Sequence, residues 1–85
     1  MSQVHELHCD SEPFRAIWRG AKLAEFRRDD RAFATGDTIN LSHPTNGHTI
    51  EALITHVQPG GSYGIPKNYS MLSLRITQRR TRPRE

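Results

Sequence analysis

Hydrophobic and polar residues alternate along several short stretches of the chain, and a period of two predicts β-strands. The first predicted strand covers residues 3–9, with His5, Leu7 and Cys9 sharing one face. Similar stretches predict four more strands, at residues 23–28, 38–42, 48–57 and 71–77. Strands this short leave exposed edges unless the sheet curls and closes. The pattern therefore favours a small, curved β-barrel.

One stretch has the spacing of a helix instead. Its apolar residues fall at i, i+3 and i+4, which places them on one helix face, as Phe14, Ile17 and Trp18. Residue 10 or 11 is expected to cap this helix, and Gly20 to end it in a left-handed conformation. The fold class expected is α+β and mostly β. It is a small curved barrel of about five to six strands, with one or two short helices.

Turns and loops separate these elements. We expect Asn46-Gly47 to form a tight hairpin turn, because this pair supplies positive φ angles. Phe33 is expected to anchor a turn, or one helical turn, into the core, and Tyr63 lies in a loop rich in glycine and proline. The turn and loop segments are residues 29–33, 35–37 and 59–66.

Length and charge divide the chain into a domain and a tail. With 85 residues there is room for one small domain. The last seven residues hold four arginines against one glutamate, which accounts for the whole net charge of +3. We therefore expect a domain over 1–78 and a mobile tail over 79–85. Its arginines either contact phosphate or only aid solubility, and they are Arg79, Arg80, Arg82 and Arg84.

The cellular setting is predicted from three absences in the sequence. A single cysteine excludes an internal disulfide, as is usual in the cytoplasm. No apolar run is long enough to span a bilayer, and no basic segment followed by an apolar one marks a secretory signal. A cytoplasmic protein without a membrane partner is expected.

The most informative stretch is residues 20–31, where seven of twelve residues are charged. Lys22, Glu25 and Arg27 crowd onto one short strand, which predicts a polar binding cleft. Further predicted ligand contacts are Arg28, Arg31 and Tyr63: the arginines through their bidentate guanidinium groups, the tyrosine by stacking on a base. Alternatively, these arginines pair with the neighbouring carboxylates, Asp29, Asp30 and Asp37.

Catalytic chemistry has few candidates here. Lys22 and Glu25 form the one plausible acid/base pair, with an ordinary ion pair as the alternative. The five histidines lack metal-ligand spacing, and the chain has no phosphate-binding glycine motif. No metal and no cofactor are therefore expected.

The spacing Gly20-x-Lys22-x-x-Glu25-x-Arg27, followed by Gly36-Asp37, resembles the ASCH domains of the PUA-like superfold. More narrowly, it resembles a small ASCH-related family of bacteria and phages, over about residues 5–76. The resemblance implies a barrel with a helix beside a polar cleft. It also implies binding of RNA or a nucleotide, with the lysine, glutamate and arginine of the motif lining that cleft.

Some ASCH proteins are amidohydrolases of acetylated cytidine derivatives, and these resemble the chain at Lys22. Their threonine nucleophile falls where this chain has Glu25, and Glu51 is the candidate for their second acid. Thr35 and Thr38 lie elsewhere in the pattern. An RNA- or nucleotide-binding module is therefore the first hypothesis. The alternatives are an amidohydrolase acting on an N-acylated nucleoside and a protein-interaction module of phage or bacterial origin.

Overall fold

A computed structural model describes residues 2–28 and 31–82 as one sheet with one helix packed on it. The elements are β1 (Val4–His8), α1 (Ser11–Trp18), β2 (Ala24–Arg28), β3 (Thr38–Ser42), β4 (Thr49–Pro59) and β5 (Tyr69–Arg80). The strand order is β1-β3-β4-β5-β2, with β1 parallel to β3 and the other pairs antiparallel. The sheet curls into a half-barrel, which confirms the mostly β fold. Its two edge strands are β1 and β2.

Alternation decides which side chains β1 and β3 bury. His5 and Leu7 of β1 are buried, as are Ile39 and Leu41 of β3, while the residues between them are more exposed. These assignments match the predictions, because a strand with one buried face places alternate residues in the core.

The core lies between the concave face of the sheet and α1. Phe14 and Ile17 of the helix are almost fully buried and belong to the same hydrophobic cluster as the buried residues of the sheet. The sheet contributes Ile50, Ala52, Ile54, Leu72 and Leu74. Register shifts after Glu51 and after Ile54 interrupt the β4–β5 pairing. Such bulges bend a strand and so help a small sheet to curl.

The last strand is longer than predicted. It runs to Arg80, because its last residues pair with Thr49 and Ile50 of β4. Arg79 Nε also donates a hydrogen bond to the carbonyl of Trp18 at 2.7 Å. These two arginines of the predicted tail therefore belong to the sheet, and Arg84 lies outside the described residues.

The connection between β3 and β4 differs from the predicted tight hairpin. Among the described residues, Tyr63 is the one non-glycine with a positive φ, so Asn46-Gly47 does not form a two-residue turn with both φ angles positive. Instead, His43 Nδ1 accepts hydrogen bonds from the backbone N–H groups of Thr45 and Asn46, both at 3.1 Å. The imidazole thus accepts hydrogen bonds from backbone N–H groups of the loop. Six residues, 43–48, connect the two strands.

Phe33 packs partly buried against the core, with its ring 4.8 Å from that of His5, as predicted for the anchor of this turn. Asp29 and Asp30, from the same predicted turn, lie outside the described residues. Within residues 2–28 and 31–82, no helix has the length and apolar character needed to cross a membrane.

Candidate functional site

A polar cavity of about 340 Å³ opens where the two edge strands of the half-barrel approach each other. This volume is at the lower end of the range for small-molecule sites. The end of β1, the first turn of α1 and the strand β2 contribute the lining. The lining residues are His8, Cys9, Asp10, Pro13, Glu25, Phe26 and Arg27.

Glu25 is the buried charge of this cavity, with 6% of its surface exposed. The strand pairing explains its burial, because Glu25 lies opposite the fully buried Leu72 of β5. Its Oε2 accepts hydrogen bonds from Arg27 Nε at 3.2 Å and Nη2 at 3.0 Å. Lys22 Nζ lies 3.8 Å from Oε1. A buried carboxylate needs such partners, since desolvation otherwise disfavours the charged form.

Arg27 also connects the two edge strands. Its Nη2 donates to the backbone carbonyl of His8 at 2.5 Å, although β1 and β2 are not paired in the sheet. Glu25 and this carbonyl therefore hold the guanidinium from two sides. Within the described part of the chain, Nη1 makes no hydrogen bond, and the side chain is 22% exposed. The N–H groups of Nη1 therefore remain available to a ligand.

Cys9 is buried behind the cavity. The pKa of its thiol is raised to about 11, mainly by burial and then by the charge and hydrogen bond of Glu25, against lowering by Arg27 and Lys22. The thiol is therefore protonated at neutral pH and unsuited to nucleophilic chemistry. Cys9 is thus a free, buried cysteine, on the strand face that the sequence pattern predicts for it.

A second buried polar cluster lies away from the cavity, at the start of β1. His5 Nε2 and Asp37 Oδ2 are 2.9 Å apart, and the backbone N–H groups of Gln3 and Ala34 donate to the same carboxylate. The hydrogen bond from His5 is the main cause that lowers the pKa of Asp37. Asp37 thus pairs with a histidine, and not with an arginine as the alternative prediction had it. This pair connects β1 to the turn before β3.

The structure brings together the three residues at the centre of the predicted cleft, Lys22, Glu25 and Arg27. Arg28 lies on the opposite face of β2, beside Tyr69 of β5, and Arg31 is exposed beyond the strand. Tyr63 is 88% exposed in the loop after β4. Arg28, Arg31 and Tyr63 do not line the cavity, and their ligand contacts stay predictions.

Glu51, the candidate second acid of a hydrolase, is not at this cavity. Its carboxylate accepts a hydrogen bond from Thr77 Oγ1 at 2.7 Å and pairs with Arg80 at 3.3 Å. The hydrogen bond from Thr77 is the main cause that lowers its pKa. Thr35 and Thr38 are not lining residues either.

Sequence reasoning missed Phe26 as a site residue. It is 53% exposed and lines the cavity, although alternation places it on the other face from its two charged neighbours. It belongs to an edge strand, where no further strand covers its outer side. The signal in the sequence was an aromatic residue between two charged residues of the predicted cleft, Glu25 and Arg27.

Comparison with known proteins adds a family. Residues 4–74 match the family described as a domain of unknown function (DUF3850), and this range contains every lining residue. The chain is also similar to the uncharacterized 12.9 kDa protein in the GpA 3′ region of Escherichia phage P2, with 36% identity over 61 residues. That alignment covers 67% of this chain and 56% of the phage protein, so the chain spans little more than half of its relative.

Proposed function

The chain belongs to the DUF3850 family, and we propose that it is a non-catalytic, ASCH-like module that binds RNA or a nucleotide. The cavity between β1 and β2 takes the base. One observation carries the proposal: Arg27 is held by Glu25 and by the His8 carbonyl, while its Nη1 group is left unbonded among the described residues. A fixed guanidinium offers planar donors to the edge of a base or to a phosphate.

The charge of the cavity favours a base over a polyphosphate. Asp10 and Glu25 place two carboxylates in the lining against the single guanidinium of Arg27, and Lys22 lies beside Glu25. These four groups sum to no net charge, so they offer hydrogen bonds without strong attraction for an anion. A nucleobase, neutral and rich in donors and acceptors, suits such a lining.

Phe26 supplies the apolar surface that a base requires. Its ring is half exposed at the cavity and is free to stack on a ligand. Stacking of a base on an aromatic side chain contributes about 1–3 kcal/mol, with little dependence on the base. Phe26 thus contributes affinity, while Arg27 contributes selectivity for the base edge.

Calorimetric titration with nucleosides, nucleoside monophosphates and short single-stranded RNAs tests the proposal. Phe26→Ala should weaken binding by roughly fivefold to 150-fold, from the stacking energy above. Arg27→Lys keeps the charge beside Glu25 but loses the planar donors, so it should weaken binding and reduce discrimination between bases. Arg75→Ala, an exposed change on β5, is the control for net charge.

Arg28→Ala tests the contact predicted for the other face of β2. If it weakens binding as much as Arg27→Lys does, the main ligand contacts lie outside the lining of the cavity, and the proposed cavity is refuted. Absence of binding by every compound would refute the module itself and favour the protein-interaction alternative.

The hydrolase alternative is supported by one distance, the 3.8 Å between Lys22 Nζ and Glu25 Oε1. A lysine beside a carboxylate can transfer protons. Incubation with an N-acylated cytidine, followed by chromatography, separates the two functions. Release of the acyl group by the wild type, lost in Lys22→Ala and in Glu25→Gln, would make the protein an enzyme.

A further inference from the structure

Three exposed arginines come from segments that lie around the end of α1 remote from the cavity. Arg79 donates to the carbonyl of Trp18, the last residue of α1, and Arg19 follows directly in the chain. The stem of Arg82 lies over the loop between β3 and β4, where a Cβ on Gly47 would be 2.5 Å from Arg82 Cδ. We call Arg19, Arg79 and Arg82 the basic cluster.

Packing fixes the two sides of this cluster relative to each other. The rings of Trp18 and His48 stack with centroids 5.3 Å apart, which ties the end of α1 to the loop under Arg82. A side chain of Arg79 at a helix C-terminus also interacts favourably with the helix dipole, so this arginine has a structural role of its own.

Arg19 and Arg82, the other two members of the basic cluster, make no contact of this kind with the helix terminus among the described residues. In the part of the chain that the structure describes, Arg19 and Arg82 form no ion pair, and the carboxylates of Glu25, Asp37 and Glu51 are taken by other partners. Concentrated, uncompensated arginines attract phosphate groups.

The distance between the cavity and the basic cluster suits a polynucleotide. The cavity lies at the first turn of α1 and the cluster at its last, and eight residues of helix span about 12 Å. Nucleotides stacked along one strand advance about 3.4 Å each, so this span corresponds to roughly three to four of them.

We infer that the ligand is a single-stranded oligonucleotide bound at two points, with one base in the cavity and the backbone phosphates three to four nucleotides away on the basic cluster. The inference rests on the proposed function and specifies its ligand. The cavity without net charge selects the base, and the cluster supplies the salt-dependent affinity that the cavity lacks.

The test compares a mononucleotide with a fluorescently labelled single-stranded hexanucleotide over a range of salt concentrations. The variant Arg19→Ala/Arg82→Ala removes two charges from the cluster and leaves the helix contact of Arg79 intact. The matched control, Lys67→Ala/Arg75→Ala, removes two exposed charges elsewhere. Circular dichroism establishes that each variant is folded.

The expected result is a difference in salt dependence. Each single-strand phosphate contact contributes about 0.7 to the slope of log affinity against log salt, so losing two removes about 1.4. Raising the salt from about 50 to about 200 mM should then cost the wild type about sevenfold more affinity for the hexanucleotide than the cluster variant. The control should behave as the wild type, and mononucleotide affinity should not change.

Equal salt slopes for the cluster variant and the wild type would overturn the second contact and leave the cavity proposal intact, provided that the mononucleotide still binds. If an acidic peptide with the same net charge as the hexanucleotide binds with equal affinity, the ligand is not specifically an oligonucleotide and the inference is overturned. If neither the mononucleotide nor the hexanucleotide binds, the proposed function is overturned together with this inference.

Discussion

Cys9 can report the electrostatics of the cavity, because the chain has one cysteine and its thiol lies next to Glu25. The perturbation is Glu25→Gln, which keeps the shape of the side chain and removes its charge. The carboxylate is one of the causes that raise the pKa of the thiol, so its loss should lower that pKa.

The size of the effect follows from the causes of the shift. The pKa of Cys9 is about 11, against an ordinary value of 9.0, and burial is the largest cause. Burial persists in the variant, whereas the charge of Glu25 is lost and those of Arg27 and Lys22 are no longer offset. We expect the pKa to fall from about 11 toward 9.0. Each unit of that fall is worth about 1.4 kcal/mol in favour of the thiolate and a tenfold larger thiolate fraction at pH 8.

The assay is the ultraviolet absorbance of the thiolate during a pH titration, corrected with Cys9→Ala to remove the tyrosine signal. Circular dichroism over the same range confirms that the protein stays folded. Glu12→Gln is the matched control, because it removes an exposed carboxylate from the first turn of α1. An equal thiol pKa in wild type and Glu25→Gln would refute the placement of the carboxylate against Cys9, and with it the geometry of the cavity.

Three predictions concern stability and are checked by urea unfolding. Asp37→Ala should lower the free energy of unfolding by about 1–3 kcal/mol at neutral pH, because it leaves buried donors without an acceptor. The folded-state pKa of Asp37 is lowered from 3.8, so this stabilisation is present above pH 3.8 and is lost as the pH falls through the folded-state pKa. Plotted against pH, the free energies of unfolding of the wild type and the variant should therefore converge in acid. Parallel curves would contradict the linkage. Gly60→Ala should cost about 1–3 kcal/mol, because its Cβ would lie 1.9 Å from the carbonyl oxygen of Pro66, whereas the exposed Ser62→Ala should be neutral. Ile54→Ala should cost about 2–5 kcal/mol through the cavity left in the core, and a smaller loss would mean that the bulged part of β4 collapses to fill it.

The sequence predicted those elements in which local pattern and burial agree. The strand β3 has the predicted bounds, because Ile39 and Leu41 alternate with polar residues and one face of the strand is covered. The end of β5 was missed because Gln78, Arg79 and Arg80 carry no hydrophobic signal, and their place in the sheet comes from pairing with β4.

The candidate site was predicted in part, for a similar reason. Lys22, Glu25 and Arg27 lie within six residues of one another, so their proximity was visible in the sequence. The contributions of His8 and Cys9 depend on β1 approaching β2, and strands at opposite ends of a sheet order cannot be assigned as neighbours from local pattern. Only the curl of the sheet brings them together.

The contact of Arg27 with β1 has a consequence for the addition of another strand to the sheet. Unpaired strand edges are templates onto which another chain can add, and both edges of this half-barrel run beside the same guanidinium. An incoming strand would have to detach Arg27 from the His8 carbonyl. Any accompanying loss of its hydrogen bonds to Glu25 would add the cost of an unpaired buried carboxylate. Arg27, which we propose contacts a base, would thus also oppose the addition of another strand at the edges of the sheet.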